Sequence, residues 1–247
     1  MRILSPAVAL CVLMAAPELS AQGKPVNVDL VSEGATLKGT YFSAGKPGPG
    51  IVLFHQCSGG ASRRLWDSLA GDLVTAGFHV MTFDNRGFGE TRGALPPPPP
   101  PAGGAASADR WGVTPFPVAD GLAALNYLKT QNGVDATRLA AGGSSCGVTD
   151  ASNLAAASPD IRALLLLSGT PSLRGFTHIQ QTPALAVLAV YAEQDMMGTP
   201  IAKVVPASKH PQSMTRAYPG AEHGVALLTA QPDLRVTIVK WLVSQVK

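Results

Sequence analysis

Leu139-Ala140-Ala141-Gly142-Gly143-Ser144-Ser145-Cys146-Gly147 is the stretch on which the reading of this chain turns. It fits the pattern G-x-S-x-G, with Gly143 first, Ser145 in the middle and Gly147 last. Upstream, Arg138–Gly142 reads as a buried strand. Downstream, Ser145–Ala157 reads as a helix of small residues that Pro159 ends. A strand that runs straight into a helix needs a sharp turn, and the residue at its apex is held in a strained conformation. Small neighbours let the helix pack close, so the apex hydroxyl stands exposed at the end of the sheet. The helix N-terminus favours negative charge that develops beside it. The plainer reading is a Gly/Ser-rich connection. Ser144 is also a serine, but only Ser145 takes the central slot.

The surroundings of this stretch repeat the alternation of strand and helix. Val26–Val31 and Thr36–Phe42 read as two strands joined by a turn at Ser32-Glu33-Gly34-Ala35. Gly50–His55, His79–Phe83, Arg162–Leu167 and Leu185–Tyr191 are apolar runs of the kind buried on both faces of a parallel sheet, and Met214–Tyr218 is a weaker one. Ser62–Ala76 has helical spacing with Leu65, Leu69 and Leu73 on one face. Asp120–Lys129 and Asp233–Val246 also read as helices. The pattern predicts an α/β fold: a mainly parallel sheet covered on both faces, with an antiparallel N-terminal edge. No internal repeat and no second domain are apparent. One segment departs from it: Leu95–Ala108 holds the consecutive prolines Pro96 to Pro101, then Gly103-Gly104. It reads as a surface insertion, extended at the prolines and mobile after them. A lid over a site, with Trp111 as a substrate contact, is the functional alternative.

A serine hydroxyl is a weak nucleophile at neutral pH and needs a base. Of the histidines, His223 lies in a loop after the last strand and before the last helix, from which it can swing over Ser145. His55 and His79 abut apolar strands, where a histidine ordinarily packs or makes a structural hydrogen bond. His178 and His210 carry no positional argument. A base also needs an acid to hold its tautomer. Asp195 ends Val190-Tyr191-Ala192-Glu193-Gln194-Asp195, just past a buried strand; Glu193 and Glu222 are its rivals. Asp84 and Arg86 are expected to stabilise their own turn. Asp120 is expected to cap a helix or to pack on the Ser145 turn.

Composition narrows the classes. The chain has 247 residues, 46% hydrophobic and 14% charged, which suits one globular domain with a large core rather than a disordered chain. A formal charge of +3, scattered along the chain, gives no track for nucleic acid. Arg2, the apolar run Ile3–Ala16 and the small residues ending at Ser20-Ala21 have the layout of a secretory signal peptide over residues 1–21, cleaved after Ala21. The apolar run is shorter than the roughly 20 residues of a membrane span, so no stable span is expected after cleavage. The mature chain is then secreted or periplasmic. Cleavage removes Cys11 and leaves Cys57 and Cys146, and two cysteines in an exported protein are disulfide candidates. No histidine pair with ligand spacing accompanies them, so no metal site is expected.

The order Ser145, Asp195, His223 resembles that of the α/β-hydrolase superfamily, and the resemblance covers nearly all of the mature chain. Ile51-Val52-Leu53-Phe54-His55-Gln56-Cys57-Ser58-Gly59-Gly60 resembles its strand and oxyanion loop. Gly77 to Thr91, ending Asp84-Asn85-Arg86-Gly87-Phe88-Gly89-Glu90-Thr91, resembles its following strand and D-x-R-G-x-G-x-[ST] turn. The chain departs from the family at Gln56, where the loop usually carries glycine. The resemblance implies a catalytic triad of Ser145, His223 and Asp195. It also implies oxyanion donors at the backbone N–H groups of Cys57 and Cys146, which would make those cysteines neighbours able to form a disulfide. No cofactor is implied, and Gln56 joins Trp111 as a candidate substrate contact. The small, nearly capless size is similar to the dienelactone hydrolase group, whose nucleophile is commonly cysteine. With Ser145 in that slot, a simple carboxylic ester is the expected small-molecule substrate. Amide, thioester or peptide cleavage on the same triad, or a binding protein on a hydrolase scaffold, are the alternatives.

Overall fold

The computed structural model describes residues 23–58, 60–91 and 116–246. The expected signal peptide over residues 1–21, the expected insertion at about 95–108 and Trp111 lie outside the described residues. β1 (Val26–Ser32) and β2 (Ala35–Phe42) form a hairpin. Its two turn residues, Glu33 and Gly34, both have positive φ, the turn geometry that matches the twist of antiparallel strands. β3 (Gly48–Phe54), β4 (His79–Phe83), β5 (Val134–Ser144), β6 (Ile161–Leu167), β7 (Ala186–Ala192) and β8 (Met214–Tyr218) follow. The sheet order is β1-β2-β4-β3-β5-β6-β7-β8. β1, β2 and β4 pair antiparallel, and every pairing from β4 through β3 to β8 is parallel. The expected architecture, including the antiparallel edge, is therefore the observed one.

The apolar strands feed two cores because successive side chains point to opposite faces. In β6, Leu164 and Leu166 join one core while Leu165 and Leu167 join the other. The first core is closed by α2 (Val118–Lys129) and α3 (Cys146–Ala157) through Ala124, Leu125, Leu128, Val148, Ala151 and Leu154. The second is closed by α1 (Asp67–Thr75) and α8 (Leu234–Gln245) through Leu69, Leu73, Ile238, Trp241 and Leu242.

Several local expectations change. The first helix opens with a 3-10 turn, Arg63–Trp66, which turns Leu65 outward and buries Trp66. β5 starts at Val134, not Arg138. Its added residues, Val134-Asp135-Ala136-Thr137, alternate apolar and polar, and Asp135 takes hydrogen bonds from Thr137 and Arg138, so no continuous apolar run marks them. The connection from β6 to β7 holds α4 (Leu173–Gln181), capped by Ser172 Oγ, which accepts from Gly175 N at 2.9 Å. This helix buries only Gly175 and Ile179; Leu173, Phe176 and Ile179 do recur at helical spacing, but over just 9 residues between two strands. The short helices α5 (Gly198–Ala202), α6 (Val204–Ala207) and α7 (Leu227–Ala230) were not expected either.

Asp120 makes no side-chain cap of α2. Its carboxylate accepts from Arg86 at 2.7 and 2.8 Å and from Ser32 Oγ at 2.6 Å. Arg86 thereby ties its turn to α2 and to the hairpin, where the Ser32 carbonyl also accepts from it. Asp84 does brace its own turn, accepting Glu90 N–H at 2.9 Å, and it pairs besides with the buried Arg63.

Candidate active site

The chain reverses direction across the sheet at β3, which has β4 on one side and β5 on the other. Sites in open α/β sheets form at the carboxyl ends of the strands around such a point. β3 ends into the loop that carries Gln56 and Cys57, and β5 ends into Ser145. Asp195 follows β7, and His223 follows β8.

Ser145 sits at φ 54°, ψ −120°, in the positive-φ region that a residue with a side chain seldom adopts. Its strain is held from several directions. Ser145 N–H donates to the Leu167 carbonyl at 2.9 Å, and its own carbonyl accepts from Val148 N–H at 3.0 Å. Gly143 and Gly147 are required by contact: a Cβ on Gly143 would run into the Gly147 carbonyl, and one on Gly147 would lie 2.5 Å from the Phe54 carbonyl oxygen. Those approaches seat α3 against the ends of β3 and β5 and leave the Ser145 hydroxyl facing out.

The three separated side chains come together there. Ser145 Oγ lies 2.8 Å from His223 Nε2. His223 Nδ1 lies 3.0 and 3.1 Å from the two Asp195 carboxylate oxygens. The pairing sets the tautomer: Nδ1–H donates to the carboxylate, and Nε2 is left to accept the serine proton. Asp195 is nearly sealed, its side chain 2% exposed against 38% for His223. Asp195 Oδ1 also accepts from Met197 N–H at 3.1 Å, which fixes the carboxylate. It is Asp195, rather than Glu193 or Glu222, that lies against Nδ1.

The other histidines have structural partners. His55 Nδ1–H donates to the Gln56 carbonyl at 2.6 Å, and its Nε2 accepts from Asn85 N–H at 2.9 Å. Burial holds its pKa below the ordinary 6.5, against the opposing pull of the Gln56 carbonyl and of Asp84. His79 lies 2.6 Å from Tyr41 Oη and 3.0 Å from the Lys46 carbonyl oxygen.

Cys57 and Cys146 form a disulfide, with Cα atoms 5.8 Å apart. It joins the loop after β3 to the first residue of α3 and so runs beside Ser145. A cavity of about 290 Å³ opens over these residues. Gln56, Cys57, Ser145, Cys146 and His223 border it, as do Thr149, Thr170, Met196 and Met197, which sequence reading did not single out. The one signal for the methionines was their place directly after Asp195. Apart from His223, none of the described residues around this cavity carries an ionisable side chain. Gln56 borders it, although both ends of its carboxamide bond to protein groups. Its backbone lies outside the left-handed region, so the loop accepts a side chain where glycine is usual. Among the described residues, no helix is long and apolar enough to cross a membrane.

The family model for the alpha/beta hydrolase fold matches residues 49–186. A comparison with curated protein sequences finds no match. Among solved structures, a cold-adapted esterase from an Arctic intertidal metagenomic library superposes with a TM-score of 0.68 at 20% identity, over 92% of this chain and 98% of its own. An esterase of Pyrococcus furiosus gives 0.66 at 14% identity, over 96% and 98%. A dienelactone hydrolase from Anabaena variabilis gives 0.63 at 16% identity, over 90% and 96%. At these identities the likeness establishes the fold alone.

Proposed function

Because the chain belongs to the alpha/beta hydrolase fold family, we propose that it is a serine hydrolase that cleaves a small carboxylic ester by two-step acyl transfer. The observation that carries this reading is the line from Asp195 through His223 to Ser145, ending 2.8 Å from a hydroxyl held on a positive-φ turn. Ser145 Oγ attacks the ester carbonyl while His223 Nε2 takes its proton. Asp195 stabilises the imidazolium through Nδ1–H. The oxyanion is received by the backbone N–H groups of Cys57 and Cys146. Cys146 is the first residue of α3, so its N–H has no acceptor within the helix and is available to the oxyanion. His223 next protonates the leaving alcohol, then activates the water that releases the acid. No cofactor enters this scheme.

The esterase neighbours support the same chemistry by analogy. Export is supported by the apolar N-terminal sequence and by the disulfide, which persists in oxidising compartments. The test is hydrolysis of p-nitrophenyl acetate and butyrate by the wild type and by Ser145→Ala. The expected loss is about a thousandfold or more. Equal rates in the two proteins, or none in either, would remove Ser145 as the nucleophile of an esterase.

A further inference from the structure

Gln56 stands where three segments of the site meet. It precedes Cys57 in the loop after β3. Its Nε2 donates to Ser58 Oγ at 2.8 Å. Its Oε1 accepts from Val225 N–H at 3.2 Å and from the Ser144 hydroxyl at 3.3 Å. Val225 is two residues past His223, and Ser144 is one residue before Ser145. The orientation of the carboxamide is not free: a backbone N–H can only donate, so the atom facing Val225 must be the oxygen.

The intervening residue shows how closely the loop is seated. Gly224 has φ 64°, and a Cβ there would lie 2.6 Å from Ser144 Oγ and would run into Gln56 Oε1. The loop that carries His223 therefore rests on the Gln56 carboxamide and on the Ser144 side chain. We propose that Gln56 is a positioning residue. Its carboxamide oxygen clasps the His223 loop to the Ser145 turn, and the same side chain steadies the backbone that presents the Cys57 N–H. The proposal rests on the reading of Ser145 and His223 as nucleophile and base.

A neutral acceptor suits this place. Glutamate would also accept from Val225 N–H, but it would add a negative charge beside the position where the oxyanion forms. The same charge would favour the protonated form of His223.

Gln56→Met and Gln56→Glu separate these effects. In Gln56→Met, amide hydrogen exchange at Val225 should accelerate and kcat for p-nitrophenyl butyrate should fall, each by about tenfold or more, as a small misplacement of reacting groups would cause. KM and the unfolding temperature should stay near those of the wild type. Gln56→Glu should keep Val225 protected and move the acidic limb of the kcat/KM profile to higher pH, a shift that a merely structural role would not produce. Wild-type protection of Val225 in Gln56→Met would overturn the clasp. Wild-type kcat in Gln56→Met, in an active enzyme, would overturn the positioning role. Failure of the wild type itself to hydrolyse the ester would instead count against the esterase reading, and exchange at Val225 would still decide the clasp.

Discussion

Cys57 and Cys146 link, across 89 residues of sequence, the loop after β3 to the first turn of α3. The bond holds together the two backbone segments proposed to receive the oxyanion. Closing so long a loop restricts the unfolded chain, an effect of about 2–4 kcal/mol for typical disulfides. The paired variant Cys57→Ser/Cys146→Ser is expected to lose stability of that order in urea unfolding, and to lose kcat more than it changes KM. The oxidised chain from residue 22 onward, which lacks Cys11, should show no free thiol when denatured. Two free thiols, or unfolding midpoints that match with and without reductant, would refute the link.

The ion pair of Arg63 with Asp84 is expected to matter far more than that of Arg63 with Glu90. Arg63 and Asp84 are 1% and 0% exposed, whereas the Glu90 side chain is 53% exposed. Asp84 also accepts from Arg63 N–H at 2.6 Å. Removing one partner of a buried pair leaves a charge without compensation, at about 3–5 kcal/mol. Arg63→Met should lose stability of that size in urea unfolding followed by circular dichroism, and Glu90→Gln should lose much less. Similar losses in the two variants would show that burial does not set the difference.

His55 is expected to make stability fall as pH falls. Its Nε2 accepts from Asn85 N–H, so protonation would set two donors against each other. Burial accordingly keeps its folded pKa below the ordinary 6.5. Below about 6.5 the unfolded chain binds more protons at this site than the folded one, so stability rises with pH in that window and is lost as pH drops through it. Urea midpoints between about pH 8 and pH 5 should decline more steeply for the wild type than for His55→Gln. Parallel declines would assign the dependence to other groups.

The parallel sheet was legible because strands buried on both faces must be continuously apolar, and residues 51–54, 163–167 and 186–190 carry that mark without help from their neighbours; its antiparallel edge was legible from the turn that joins β1 and β2. The Ser145 turn was legible for a related reason. Only small residues tolerate the approach of Gly147 to the Phe54 carbonyl, so the packing is written locally in the composition. Helix α4 was less legible: Leu173, Phe176 and Ile179 recur at helical spacing, but the pattern spans only 9 residues and Leu173 stays exposed.

What tertiary structure alone decided are relations between distant segments. Arg86 reaching Asp120, the cavity border at Met196, Met197, Thr149 and Thr170, and the bonds from Gln56 to Ser144 and Val225 join residues whose separation in sequence carries no signal. The resemblance to a family suggested that Cys57 and Cys146 would be neighbours; the folded chain brings their Cα atoms to 5.8 Å. Hydrophobic periodicity and turn chemistry act within a few residues and can be read along the chain. Side-chain hydrogen bonds depend on a few ångströms between strand ends, and the packing of the whole sheet sets those distances.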